Sequence, residues 1–207
     1  MRTLYDFPPS GNCHKIRIML SILGLDYDKV TINLLKGEQK APEFLQLNPR
    51  HKVPVLDDEG IIVADSAAIL IYLSRKYGRD DLYPNEPAAM AEIQKWLSFS
   101  VNEVFNGLAL SRARVIFKRD VDAEPLHAIA FGALKTMEAQ LKEADWLALG
   151  QPTIADIACY PYTAAIGEAG LSLEPYPAVR AWLTRLEALP GFVAMPAFEP
   201  LDQDRFD

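Results

Sequence analysis

The sequence is poor in the residues that build disulfide frameworks and metal sites. It holds two cysteines, Cys13 and Cys159, and three histidines, His14, His51 and His127, all widely scattered. Two distant cysteines form no framework, neither has metal-ligand spacing, and the pattern fits a reducing compartment with no metal. No run of about eighteen apolar residues occurs, as a membrane span would need. Residues 1 to 12 lack the basic-then-apolar pattern of a secretory signal. The expectation is a soluble, cytoplasmic protein with no membrane partner. Internal repeats and low-complexity stretches are also missing. Basic charge is in short supply, with a formal net charge of −7, and the imbalance is local. Residues 1 to 78 carry ten Lys/Arg against nine Asp/Glu, whereas residues 79 to 207 carry eleven against nineteen. An acidic chain without a basic stripe argues against nucleic acid, because phosphate neutralisation supplies most non-specific affinity there. An anionic small ligand, if one binds, belongs to the first half.

What is present is apolar material, 50% of 207 residues, enough for two modest domains or one large one. Residues 3 to 7 read as a strand. Ile16, Met19, Leu20 and Leu23 then recur at helical spacing up to Gly24. Residues 27 to 33 read as a second strand, parallel to the first by the right-handed crossover rule. A short helix is expected near 42 to 46, and 55 to 63 has the form of a hairpin around Asp58-Glu59-Gly60. A helix from about 67 to 77 stops at Gly78, and 79 to 87, polar and twice interrupted by proline, reads as a linker. From 88 onward the pattern is helical: 88 to about 117, about 123 to 144, 154 to 168, and a last helix after Pro177 burying Val179, Trp182, Leu183 and Leu186. Thr153 and Asp156 have capping-box spacing ahead of the third of these. That segment is apolar nearly all round, so it should be the buried centre, with Pro161 kinking it or ending it early. Residues 196 to 207 read as a loose or docked tail.

The most informative local feature is His51-Lys52-Val53-Pro54-Val55-Leu56, followed by Asp65-Ser66 at the head of a helical pattern. Proline cannot donate to a ladder, so Pro54 marks a turn into the strand that starts at Val55. A cis Val53–Pro54 bond would leave the Val53 N–H and C=O free to pair with an extended peptide. Asp65-Ser66 suits an N-cap, a position both residue types strongly prefer.

A βαβ-ββα unit with a proline before its third strand, followed by an all-helical unit, resembles a cytosolic glutathione transferase. Ser10-Gly11-Asn12-Cys13, Val53-Pro54, Asp65-Ser66 and Thr153 to Asp156 carry the resemblance, which spans essentially the whole chain. It is most similar to serine-type bacterial members (theta-, nu- or beta-like). It implies a thioredoxin-like, glutathione-binding domain over 1–78, a linker over 79–87, and an all-helical domain over 88–207 that forms the electrophile pocket. It also implies a cis Pro54, a Val53 backbone that pairs with the cysteinyl part of glutathione, and a homodimer. Asp65 and Ser66 would hold the γ-glutamyl end, and Lys52 with Gln39 the glycyl carboxylate. Arg112 and Arg114, late in the long helix, fall where the family lines its electrophile pocket.

The chemistry centres on Ser10. A free thiol titrates near about 8.5, and the thiolate is the nucleophile. A hydroxyl between a strand end and a helix N-terminus can donate to the anion while the helix dipole adds positive potential. Ser10 takes that role, with Asn12 as a second donor or a cap. Tyr5 lies inside the strand pattern and reads as packing. Cys13 completes Ser-x-x-Cys, similar to a glutaredoxin motif without its first cysteine, and its inner position favours an inert thiol. Cys159 reads as core, and His14 as a surface or packing residue. The resulting expectation is a glutathione transferase that adds glutathione to an electrophile or uses it to reduce a disulfide or peroxide. A maleylacetoacetate-type isomerase is the second enzyme reading, disfavoured by Gly11-Asn12 in place of a serine-cysteine pair. A non-catalytic binding or assembly module is the third, disfavoured by the joint presence of Ser10, Lys52, Asp65 and Ser66.

Overall fold

In the computed structural model, which describes residues 1–198, β1 (Arg2–Asp6) leads through α1 (Gly11–Ile22) to β2 (Asp28–Thr31). The tail expected over 196–207 lies, from residue 199 on, outside the described residues. β1 and β2 pair in parallel, Leu4 opposite Lys29, as the crossover rule requires. Ile16, Met19 and Leu20 are fully buried, and the chain leaves α1 through Gly24 at a φ of 63°, a conformation glycine adopts without steric cost.

After the short α2 (Pro42–Leu47), β3 (Val55–Asp58) and β4 (Ile61–Ala64) form the hairpin read from the sequence. Its turn residues Glu59 and Gly60 both have positive φ, 60° and 89°, which matches the twist of the flanking strands. β3 inserts antiparallel beside β1, giving the order β2-β1-β3-β4. α3 (Ser66–Lys76) then completes the first half. Residues 79–87 are less loose than their polarity suggests. Leu82 and Tyr83 are buried, and the Leu82 carbonyl accepts from Ile154 N–H at 3.1 Å.

The second half is helical throughout: α4 (Pro87–Phe99), α5 (Leu110–Ile116), α6 (Ala123–Glu143), α7 (Ile154–Ala164) and α8 (Pro177–Glu187). The helix read over 88 to 117 is continuous, but its middle, Ser100–Ala109, is wound as a π-helix. Gly107 in this segment lies against the backbone of α6: a Cβ there would come within 2.6 Å of Ala130 N. Only glycine permits that approach.

α7 is buried over almost its whole length and forms the centre of the helical half. Its capping box is present, with the Asp156 carboxylate accepting from Thr153 N–H at 2.9 Å. α7 runs three residues past Pro161 and passes into a 3-10 turn (Ile166–Ala169), so the regular helix stops short of 168. α1 and α3 pack directly on α7, and one apolar cluster runs from Leu4 and Leu56 in the sheet to Trp182 in α8. The two halves therefore share a core, which fixes the cleft between them. Among the described residues, no helix is long and apolar enough to cross a membrane.

Candidate functional site

Four chain segments meet at the cleft: the loop before β3, the head of α3, the head of α1 and the π-wound segment Ser100–Ala109. In the loop, the Asn48 side chain acts as a brace. Its Nδ2 donates to the Lys52 carbonyl at 2.7 Å while its Oδ1 accepts from Arg50 N–H at 3.0 Å. The loop turns at His51, with φ 54°, and passes through a cis Val53–Pro54 bond into β3. Among the described residues, neither the amide nor the carbonyl of Val53 finds a hydrogen-bond partner. Lys52 is solvent-exposed.

At the head of α3, Asp65 is held at φ 88° and ψ 128°, a positive-φ conformation unfavourable for any residue with a side chain. Its carboxylate divides its work. Oδ1 accepts from Ala67 N–H at 2.9 Å and from Ala68 N–H at 3.4 Å, capping the helix. Oδ2 faces the cleft side, with Arg50 Nη1 at 3.7 Å. Cap and ligand roles are thus assigned to different oxygens. The Ser66 hydroxyl, nearly buried, donates to Asn12 Oδ1 at 3.5 Å and ties α3 to α1.

Ser10 is the N-cap of α1, its Oγ accepting from Cys13 N–H at 3.3 Å. That contact uses an oxygen lone pair and leaves the hydroxyl proton available to a second acceptor. Cys13 is fully buried, and burial first, then the Asp6 carboxylate, pushes its thiol well above the ordinary range. It is an inert packing cysteine, and Cys159 behaves alike. His14 is a packing residue: buried at the domain junction, its Nε2 lies 2.9 Å from the Val193 carbonyl, and burial with the Arg17 charge holds its pKa down to about 4. Tyr5 lies on β1, edge-on to Phe44.

The cleft has a volume of about 140 Å³ and gathers Asn12, Lys52, Val53, Pro54, Asp65 and Ser66 from the expected set. It adds four residues that sequence reasoning missed: Asn48, Arg50, Val101 and Phe105. Arg50 stands two residues before Lys52 and had a signal in its proximity to Pro54. Val101 and Phe105 are four apart on a helix, a spacing that reads as core, and they lie on the π-wound segment that lines the cleft from the helical half. Ser10, the N-cap of α1, does not line the cleft and lies two residues before Asn12, which does.

Four expected residues are not among those lining the cleft: Ser10, Gln39, Arg112 and Arg114. Gln39 sits on a 3-10 turn (Glu38–Lys40) with Nε2 3.5 Å from the Leu34 carbonyl. Arg112 is buried, its Nη1 donating to the Pro9 carbonyl at 2.7 Å and its Nε to Glu168 at 2.6 Å, so it braces the loop before Ser10. Arg114 donates to the Val121 carbonyl at 2.8 Å. A larger groove, about 640 Å³, lies between α4 and α6 and is lined by Trp96, Phe99 and Gln140. It shares no lining residue with the cleft. Among the described residues, no group of His, Cys, Asp and Glu is arranged to hold a metal ion.

This combination of segments has close parallels. The glutathione S-transferase N-terminal domain family matches residues 2–75, and the C-terminal domain family matches residues 94–185. Glutathione S-transferase D7 of Anopheles gambiae is 34% identical over 183 residues, covering 88% of this chain and 84% of that protein. A crystal structure of a possible glutathione S-transferase from Rhodopseudomonas palustris superposes with a TM-score of 0.87 at 34% identity, covering 96% of this chain and 99% of the other. A glutathione transferase homologue from Drosophila mojavensis, solved with bound glutathione, superposes with a TM-score of 0.83 at 32% identity, covering 91% and 88%.

Proposed function

Given that this chain belongs to the cytosolic glutathione transferase superfamily and is a glutathione S-transferase, we propose that it holds glutathione along the cleft from Asp65 to Lys52, with the sulfur at Ser10. The observation that carries the placement is the divided Asp65 carboxylate. Oδ1 is consumed by the cap, and Oδ2 is left for the γ-glutamyl ammonium. Ser66, heading α3, offers its N–H to the γ-glutamyl carboxylate, where the helix dipole adds to the attraction, while its hydroxyl stays on Asn12 Oδ1. The unpaired Val53 backbone takes the cysteinyl residue as a strand partner. Lys52 and Arg50 supply positive charge for the glycyl end, and Gln39, which does not line the cleft, is left out of this arrangement.

This path brings the sulfur to the N-terminus of α1. There the Ser10 hydroxyl donates to the thiolate, with the Asn12 side chain as a second donor. The thiol proton leaves to solvent, and the sulfur lone pair forms the new bond as the leaving group departs: halide from an aryl carbon, a thiolate from a cleaved disulfide, or an alkoxide from a cleaved peroxide O–O bond. The last leaves a glutathione sulfenic acid that a second glutathione converts to glutathione disulfide and water. Val101 and Phe105 form the apolar side of the cleft, where an electrophile with an apolar body would lie.

The test is a thiolate absorbance titration of bound glutathione. In the wild type the thiol should titrate below the free value, and in Ser10→Ala it should return toward it. An unchanged titration in the variant removes Ser10 from the mechanism. A panel of chloronitrobenzene, hydroxyethyl disulfide and cumene hydroperoxide separates addition from reduction. Two further readings have supporting features. Homodimerisation would cover the exposed Ile61 and Ile62 of the β4 edge and the α4–α6 groove, and sedimentation at micromolar concentration tests it. Cytoplasmic residence suits two buried cysteines that remain free thiols.

A further inference from the structure

Tyr162, on α7 of the helical half, reaches across the domain junction to the head of α1. Its ring lies against Gly11 so closely that a Cβ there would come within 2.6 Å of Cε1, and Phe105 packs edge-on at 6.3 Å between centroids. Its hydroxyl accepts from Asn12 N–H at 3.2 Å, which sets it at the same helix end that the Ser10 side chain caps. A tyrosine from the second domain therefore occupies the helix N-terminus beside the hydroxyl assigned to the thiolate. It takes one of the amides that a bare N-terminus would have presented to the sulfur.

We propose that Tyr162 is a positioning residue for Ser10, forming a two-hydroxyl relay that ends on the glutathione sulfur. The inference rests on the placement of the sulfur at Ser10 given above. Hydrogen-bond capacity supports it. A serine oxygen accepts two bonds and donates one. The Cys13 N–H fills one acceptor position of Ser10. If the phenol donates into the other, the serine proton points to the sulfur, and the phenol oxygen still accepts from Asn12. Each hydroxyl in such a chain polarises the next, so the terminal donor is stronger than an isolated serine.

The phenol can supply that proton because it stays protonated. Burial first, and the Cys13 side, hold its pKa up, while the Asn12 N–H, the Ser10 hydroxyl and the Arg112 charge pull the other way without reversing the shift. The remaining charged neighbour is the ammonium of Lys15, 5.9 Å from the ring centroid. The relay also gives Gly11 a role. Any side chain at that position would push Tyr162 away from Ser10.

Tyr162→Phe keeps the ring against Gly11 and Phe105 and removes only the oxygen. In a thiolate absorbance titration, the bound thiol should rise by about half to one pH unit relative to the wild type. The kcat/KM with chloronitrobenzene at pH 6.5 should fall by about three- to tenfold and recover near pH 9, with the KM for glutathione within about twofold. In a Ser10→Ala background the same substitution should add nothing. An unchanged titration in Tyr162→Phe overturns the relay, as does an equal shift with and without Ser10. If Ser10→Ala itself leaves the titration unchanged, the sulfur placement falls and the relay with it. If only Tyr162→Phe is silent, the placement stands. Should the phenylalanine variant fold poorly, site-specific 3-fluorotyrosine at 162, a more acidic donor, must lower the bound thiol's pKa, and no change or a rise refutes the relay.

Discussion

Asp65→Asn separates two jobs that the structure assigns to different oxygens of one side chain. The cap is a pair of bonds from Ala67 and Ala68 N–H to Oδ1, and an asparagine carbonyl accepts both. Asn and Asp are nearly equal at this position, so stability should change by no more than about 0.5 kcal/mol. The ligand role uses the charge on Oδ2. Replacing a charge-assisted hydrogen bond by a neutral one forfeits about 1–2 kcal/mol after allowing for the solvent exposure of the group, or about a five- to thirtyfold weaker Kd. The Arg50 pair at 3.7 Å, with the arginine 65% exposed, contributes little to either number. Asp65→Gly supplies the opposite control. Glycine forfeits only a few tenths of a kcal/mol as a cap while relieving a φ of 88°, so the fold should hold or gain up to about 1 kcal/mol as glutathione affinity falls. Asp65→Ala keeps the strained backbone and loses the cap, and should be destabilised by about 1 kcal/mol. Thermal unfolding without ligand and calorimetric titration with glutathione read the two axes independently. If Asp65→Asn binds glutathione as tightly as the wild type, Asp65 is only a cap, and the proposed position of the γ-glutamyl end is wrong.

Further predictions concern groups buried between or within the two halves. Asp156 accepts from Leu147 N–H at 3.0 Å and Trp182 Nε1 at 2.9 Å as well as from Thr153, so Asp156→Ala orphans several buried donors. It should cost about 3–5 kcal/mol in urea unfolding, and a loss below about 1 kcal/mol would show that water replaces the carboxylate. Lys15 is buried and, among the described residues, its side chain makes a single hydrogen bond, to Ser100 Oγ at 2.9 Å, and burial lowers its pKa to about 8. Lys15→Met should raise stability by about 1–3 kcal/mol at pH 7, because an apolar group of similar length replaces a poorly compensated charge. An unchanged or lower melting temperature refutes this. His14 is neutral in the fold down to about pH 4, so between about 6.5 and 4 the unfolded chain takes up its proton first, and stability must fall as pH drops through that window. The full loss is about 3 kcal/mol, and urea midpoints at pH 7, 5.5 and 4.5 should drop less steeply in His14→Gln; equal slopes remove His14 as the cause.

The sequence by itself determined the elements and much of the site, because the signals involved are local. Glycine at 24 and 78, proline at 54 and the Thr153-to-Asp156 spacing act within a few residues of chain, so their consequences survive without knowledge of the fold. The heads of α1 and α3 were legible for the same reason: Ser10 and Asp65 are cap residues, and caps announce helix starts. What only the tertiary structure decided are the contacts between segments far apart in sequence. The π-winding of Ser100–Ala109 has no separate apolar signature, so Val101 and Phe105 read as ordinary helix until α6 is seen pressing on Gly107. Arg112 has the composition of a ligand-binding residue, and tertiary packing instead buries it against Glu168 and the Pro9 carbonyl, far from solvent. Tyr162 sits in a segment that is apolar on every side, where an aromatic ring is expected to be core. Only the crossing of α7 over α1 puts its hydroxyl at the helix N-terminus, because a polar tip on a buried ring has no periodicity from which its partner can be read.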